Sequence, residues 1–120
     1  MGMPSEVVLD GESLTIPDVV AVARGGAKVR LHEGALVRIE ASRRVVEELL
    51  SARKIVYGIT TGFGRLAEVA ISPEEAEDLQ RNLILSHSVG TGNALDEETT
   101  RAVMLLRANA LAKGYSGVRL

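Results

Sequence analysis

Two hydrophobic rhythms run along this chain, and they predict its elements. Glu6-Val7-Val8-Leu9, ahead of the turn pair Asp10-Gly11, reads as a short strand, and Lys28-Val29-Arg30-Leu31 alternates like a second one. Between them Thr15 is placed to cap a helix, with Asp18 answering it as in a capping box. Val19, Val20, Val22 and Ala23 give that helix its apolar positions, and Gly25-Gly26 stop it. From about Glu33 to Arg53, Leu36, Ile39, Val45/Val46 and Leu49/Leu50 recur at the spacing of an amphipathic helix. Ser72-Pro73-Glu74-Glu75 is the clearest helix start: Ser72 caps, Pro73 takes the first helical position and Glu75 closes the box. That helix is expected to run to about Val89 and to stop at Gly90-Thr91-Gly92. A last helix begins near Asp96, sets Val103, Leu106 and Ala110 on one face, and ends at Gly114 with Lys113 at its negative end.

The expected fold is therefore mainly α with a small β element near the N-terminus. Residues 1–70 are expected to form a small mixed unit, and residues 71–120 the first two helices of a truncated helical bundle. The apolar faces of those helices call for a partner surface, and the chain ends abruptly after Tyr115-Ser116-Gly117-Val118-Arg119-Leu120. It reads as the front portion of something longer.

One segment does not fit either rhythm. Val56-Tyr57-Gly58-Ile59-Thr60-Thr61-Gly62-Phe63-Gly64 holds three glycines and two of the three aromatic residues in the chain. Glycines at this density weaken both helix and strand, because each loses backbone entropy and gives no side chain to pack. Loops on a rigid scaffold are where reactive groups usually sit. The segment reads as a functional loop presenting the Tyr57 hydroxyl; the plainer alternative is a tyrosine packed at a strand end. A tyrosine, with an ordinary pKa near 10, acts as a base at neutral pH only where its surroundings favour the phenolate. Backbone N–H groups of a glycine loop, or a helix N-terminus, can favour it.

Composition narrows the remaining chemistry. A net charge of −2 argues against nucleic acid, which needs a basic patch. Arg24, Lys28, Arg30 and Arg38 lie among acids and read as a solvated face. Without cysteine there is no disulfide, thiol nucleophile or thiolate metal site. No apolar run reaches the roughly 18 residues of a membrane span, and no secretory leader is evident, so the cytoplasm is the expected compartment. Two well-separated histidines give no zinc spacing, and the glycine loop lacks the Lys-Ser/Thr ending of a phosphate loop. No metal is expected. His32, among charged neighbours, reads as solvated. His87 shares a helical stripe with Gln80, Leu83 and Ile84, which suits either a pocket wall or a satisfied core histidine.

Taken together, Tyr57 to Gly64, Leu79-Gln80-Arg81-Asn82-Leu83-Ile84-Leu85-Ser86-His87, Leu106-Arg107-Ala108-Asn109 and Gly114-Tyr115-Ser116-Gly117-Val118-Arg119 resemble the N-terminal portion of the histidine ammonia-lyase and aromatic amino-acid lyase family, aminomutases included. The resemblance runs from about Leu9 to the last residue. It implies a small-molecule amino-acid substrate, a largely helical tetramer, and a protein-derived methylidene-imidazolone electrophile made from an internal Ala-Ser-Gly. It also implies roles: Tyr57 as the base that removes the β proton, Gly64 with its backbone near the substrate, Ser86 and His87 facing the substrate side chain. The Ser-His pair is similar to that of histidine lyases and some tyrosine aminomutases. This chain has no Ala-Ser-Gly: Ala41-Ser42 is followed by Arg43, and Ser116-Gly117 is preceded by Tyr115. The expectation is thus a part of a histidine ammonia-lyase that joins the remainder of the chain and is inactive alone. An aromatic aminomutase, another aromatic lyase of the family, and a non-catalytic assembly fragment are the alternatives.

Overall fold

The computed structural model describes residues 2–66 and 69–120. The elements follow in the order β1 (Glu6–Leu9), α1 (Ile16–Ala23), β2 (Lys28–Leu31), α2 (Glu33–Ser51), a short 3₁₀ turn (Gly64–Leu66), α3 (Pro73–His87) and α4 (Glu97–Ala112). The mainly helical fold with a small β element is the one the sequence predicts. The chain divides into two compact units, residues 1–43 with 93–120, and residues 44–92. Within the first unit α4 packs on α1 and β1, and the boundaries between the units fall within α2 and after α3.

In the first unit β1 and β2 pair in parallel, with Val7 opposite Val29 and Leu9 opposite Leu31. Parallel neighbours cannot be joined by a tight turn, so α1 serves as the crossover between them. Its start is the expected one: the Thr15 side chain accepts from the Asp18 N–H, and the Asp18 carboxylate accepts from the Thr15 N–H and hydroxyl. Those Thr15 donors hold the Asp18 carboxyl below its ordinary value. The core is small and aliphatic, built on Val7, Leu9, Ala21, Val22, Ala27, Ala35, Leu105 and Ala112. Small alanines on α1, α2 and α4 let backbones approach closely where no aromatic residue is available to fill space.

α4 meets this core through a different face from the one the spacing suggested. Leu105 and Ala112 are buried and Ala108 is half-buried, whereas Val103 and Leu106 are each more than half exposed and Ala110 is exposed. Both stripes are apolar at helical spacing, and periodicity cannot choose between them. The choice is made by α1, against which α4 packs. Asn109 then reaches the turn after β1, accepting the Gly11 N–H at 3.1 Å.

The arginines read as one solvated face divide into different roles. Arg24 pairs with Glu98, and Arg30 lies 3.6 Å from Glu6. Arg38 instead works as a tie, donating through Nη2 to the Asp10 carbonyl at 2.6 Å and the Ala112 carbonyl at 3.5 Å. One turn on, Ser42 Oγ accepts the Gly117 N–H at 2.9 Å, and Arg43 Nη1 donates to the Gly117 carbonyl at 3.3 Å. One face of α2 thereby holds the backbone that follows α4. The Asp10 carboxylate closes a turn of its own, accepting the Ser13 and Glu12 N–H groups at 2.8 Å each. Donors from Ser13 first, then Glu12, hold this carboxyl far below the usual carboxylate range. His32, exposed as expected, accepts the Gly34 N–H on Nδ1 at 3.0 Å and so supports the start of α2.

The second unit begins inside α2, which closes in a left-handed residue. Arg53 has φ +49° and is the one non-glycine residue with positive φ among the described residues. Its N–H bonds the Leu50 carbonyl at 3.1 Å and the Lys54 N–H bonds the Leu49 carbonyl at 3.2 Å, the paired closure that ordinarily takes glycine. Arg53→Gly is expected to raise stability by about 1 kcal/mol by relieving the Cβ clash, read as a higher midpoint in urea unfolding.

α3 starts as predicted. Ser72 Oγ accepts the Glu75 N–H at 3.2 Å, and Glu75 accepts the Ser72 N–H at 3.0 Å. It ends at His87, two residues short of expectation, because Ser88 already leaves helical geometry with ψ +60°. No described helix is long and apolar enough to cross a membrane.

Candidate functional site

All four residues proposed from the sequence, Tyr57, Gly64, Ser86 and His87, fall in the second compact unit. The loop that carries Tyr57 is shaped by its two threonines. Thr60 Oγ1 accepts the Val56 N–H at 2.8 Å and donates to the Lys54 carbonyl at 2.6 Å, while the Thr60 and Ile59 N–H groups both turn back to the Val56 carbonyl. Thr61 Oγ1 accepts the Gly58 N–H at 3.3 Å and donates to the Gly62 carbonyl at 3.0 Å. Both threonines are buried, and Thr61 is among the most buried side chains in the protein. Buried hydroxyls must find partners, and here the partners are the loop's own peptide groups. An antiparallel bridge between Thr61 and Ala70, with the Ile71 N–H bonding the Thr60 carbonyl at 3.0 Å, fastens the far end.

That frame pushes the tyrosine outward. Tyr57 is 63% exposed, and its ring meets Phe63 edge to face at a centroid distance of 5.9 Å and an interplanar angle of 76°. The reading of Tyr57 as a residue packed at a strand end does not hold, since no strand runs through this segment and most of its surface is open. An aromatic contact of this kind orients the ring at little entropic cost, because Phe63 belongs to the same loop. Gly64 opens the 3₁₀ turn with φ +56° and is exposed, so its backbone is open to an approaching molecule.

Ser86 and His87 close α3. Both are exposed among these residues. Ser86 Oγ donates to the Leu83 carbonyl at 2.9 Å, and His87 Nδ1 lies 2.9 Å from that same oxygen and 3.1 Å from Ser86 Oγ. A connection between loop and helix comes from Gln80, a residue of the His87 stripe that the sequence offered only as part of a pocket wall. Its Nε2 donates to the Gly58 carbonyl at 3.4 Å, beside Tyr57. Gln80 occupies a helical position one and two turns from Leu83 and His87, and that spacing was the signal available in the sequence.

Ser86 and His87 are thus brought together by one carbonyl, Tyr57 and Gly64 by one loop, and Gln80 links the two sets. A concave feature of this unit lies elsewhere. A hollow of about 410 Å³ is lined by Leu50, Ile55, Ala70 and Ile71, with Arg53, Thr60 and Ser72 at its edges, and none of the four candidates contributes to it. The chemistry-bearing residues are on open surface of this unit. Among the described residues no group of three or more His, Asp or Glu side chains is arranged to hold a metal ion.

Known proteins resemble this chain along nearly its whole length. The family described as aromatic amino acid lyase matches residues 14–120. A histidine ammonia-lyase from Streptococcus pyogenes serotype M3 (strain ATCC BAA-595 / MGAS315) is 51% identical over 118 residues, covering 98% of this chain and 23% of the relative. Among solved structures, histidine ammonia-lyase from Trypanosoma cruzi is 42% identical with a TM-score of 0.88, covering 96% of this chain and 22% of that one. Tyrosine aminomutase from Streptomyces globisporus is 36% identical with a TM-score of 0.89, covering 95% and 22%. The chain spans less than a quarter of the length of these relatives.

Proposed function

Because this chain belongs to the aromatic amino acid lyase family, we propose that it forms the amino-terminal part of a histidine ammonia-lyase, an enzyme that takes ammonia from L-histidine and leaves urocanate. The observation that carries the reading is the Ser86–His87 pair at the end of α3, on a helix tied through Gln80 to the loop that presents Tyr57. Tyr57 is the base: its phenolate oxygen takes a proton from the β carbon as the C–N bond opens. Gly64 offers backbone to the substrate, and Ser86 with His87 meets the substrate ring. The substrate is an amino acid, the assembly a cytoplasmic tetramer, and the remainder of the lyase chain the essential partner.

A methylidene-imidazolone, when present, supplies the electrophile that makes the substrate amine a leaving group. Nothing in these residues provides it, since no Ala-Ser-Gly occurs here. Donation of the base and of one wall of the pocket is what this chain contributes. The test is to assay these residues joined to the rest of the enzyme, and also alone, with L-histidine. The joined form is expected to release urocanate and ammonia in equal amounts, and the 120-residue chain to release neither.

Likeness to a tyrosine aminomutase, with the same fold over this region, supports a second reading. A β-amino acid formed from tyrosine in the same assay would replace the lyase with a mutase. No product from either amino acid would overturn both.

A further inference from the structure

We propose that Ser86 and the carbonyl of Leu83 together hold the His87 imidazole with its proton on Nδ1, so that Nε2 meets a ligand as a hydrogen-bond acceptor. The second half of the proposal rests on the reading of His87 as a substrate-facing residue. A carbonyl oxygen has no proton to give. The ring nitrogen 2.9 Å from Leu83 O must therefore carry the hydrogen of that bond. Ser86 reinforces the choice, because its hydroxyl donates to the same carbonyl at 2.9 Å. That donation leaves lone pairs, not a proton, for the Nδ1 atom 3.1 Å away. Nδ1 thus faces two acceptors.

With the proton on Nε2 instead, the Nδ1 lone pair would oppose the Leu83 carbonyl, and Ser86 would have to give up its own bond to relieve it. In the neutral ring the Nδ1–H tautomer leaves Nε2 as a lone pair on an exposed side chain. What it accepts is a donated hydrogen, such as the N–H of an azole or the O–H of a phenol. A carboxylate, an ether or an unsubstituted phenyl ring has no donor to offer it. Besides its own place in the proposed pocket, Ser86 on this account also positions His87.

The lock is read by ¹⁵N solid-state NMR of the assembled enzyme with labelled histidine, the His87 signal being the one lost in His87→Gln. The wild type is expected to show a protonated Nδ1 and an unprotonated Nε2. Ser86→Ala should raise the Nε2-protonated fraction at least about threefold, the scale of one neutral hydrogen bond. Ser86→Thr, which keeps a hydroxyl, should restore the wild-type ratio. Ser88→Ala serves as the control: it removes an equivalent bond to the Ile84 carbonyl, 2.7 Å long, and should leave the ratio alone. In turnover, Ser86→Ala should raise KM roughly three- to tenfold and lower kcat by less.

A wild-type ring protonated on Nε2, or a ratio indifferent to Ser86→Ala, overturns the lock. A lock that behaves as described, with KM for L-histidine unchanged in His87→Gln, upholds the tautomer and overturns the placement of His87 against the substrate.

Discussion

Tyr57→Phe in the assembled enzyme is expected to lower kcat by about a thousandfold, within the 10²–10⁴ range that a positioned acid–base group contributes. The substitution removes one oxygen and nothing else. The edge-to-face contact with Phe63 needs only the ring, and the threonine bonds that shape the loop do not involve the tyrosine hydroxyl. Folding should therefore be unaffected, with a change within about 0.5 kcal/mol, as for surface positions generally. The measurement is steady-state turnover beside a thermal unfolding curve. Near wild-type turnover with an intact fold would show that another group takes the β proton. A fall in both would mean that Tyr57 matters to the loop, not to the chemistry.

Gly114→Ala is expected to destabilise the first compact unit by about 3 kcal/mol or more, although it adds a single methyl group. Two effects combine. Gly114 has φ +80°, a left-handed conformation in which a Cβ costs roughly 1–2 kcal/mol. That Cβ would also stand 2.5 Å from Arg38 Cβ, 2.7 Å from the Arg38 carbonyl carbon and 2.9 Å from its oxygen. These are atoms of the α2 backbone and its first side-chain carbon, which cannot swing aside, so the helix itself would have to shift. Overpacking of this kind costs about 1–3 kcal/mol. Gly26→Ala separates the two effects, because Gly26 has φ +69° with no atom within 4 Å of its would-be Cβ. It should lose only the conformational part. Equal losses for the two substitutions in urea unfolding would mean that α2 and the backbone after α4 are less tightly apposed than these distances state.

Local signals were reliable where one or two neighbouring residues decide the geometry. The capping boxes at Thr15–Asp18 and Ser72–Glu75 form as the sequence predicts, as does the Asp96 cap, because each is a bond between groups three residues apart. The irregular, tyrosine-presenting loop was likewise legible in its glycines. Signals that depend on a choice of partner were not. α4 offers two apolar stripes, and the stripe chosen, Leu105, Ala108 and Ala112, is the one that α1 accepts. Arg38 looks like any surface arginine until its guanidinium meets the carbonyls of Asp10 and Ala112. Gln80 looks like a polar break in a helical stripe until its amide meets Gly58. In each case the deciding atom lies more than 20 residues away along the chain.

The sequence by itself determined the elements, their starts and the residue types of the candidate chemistry: a tyrosine on a glycine loop, and a Ser-His pair near a helix end. Short-range hydrogen bonding and period settle those. Tertiary structure alone decided which helix faces are buried, that α4 closes onto α1 and β1, and that Tyr57 and His87 are exposed among these residues. Those outcomes turn on the shape of facing surfaces, which small aliphatic side chains leave nearly degenerate until the backbones come together.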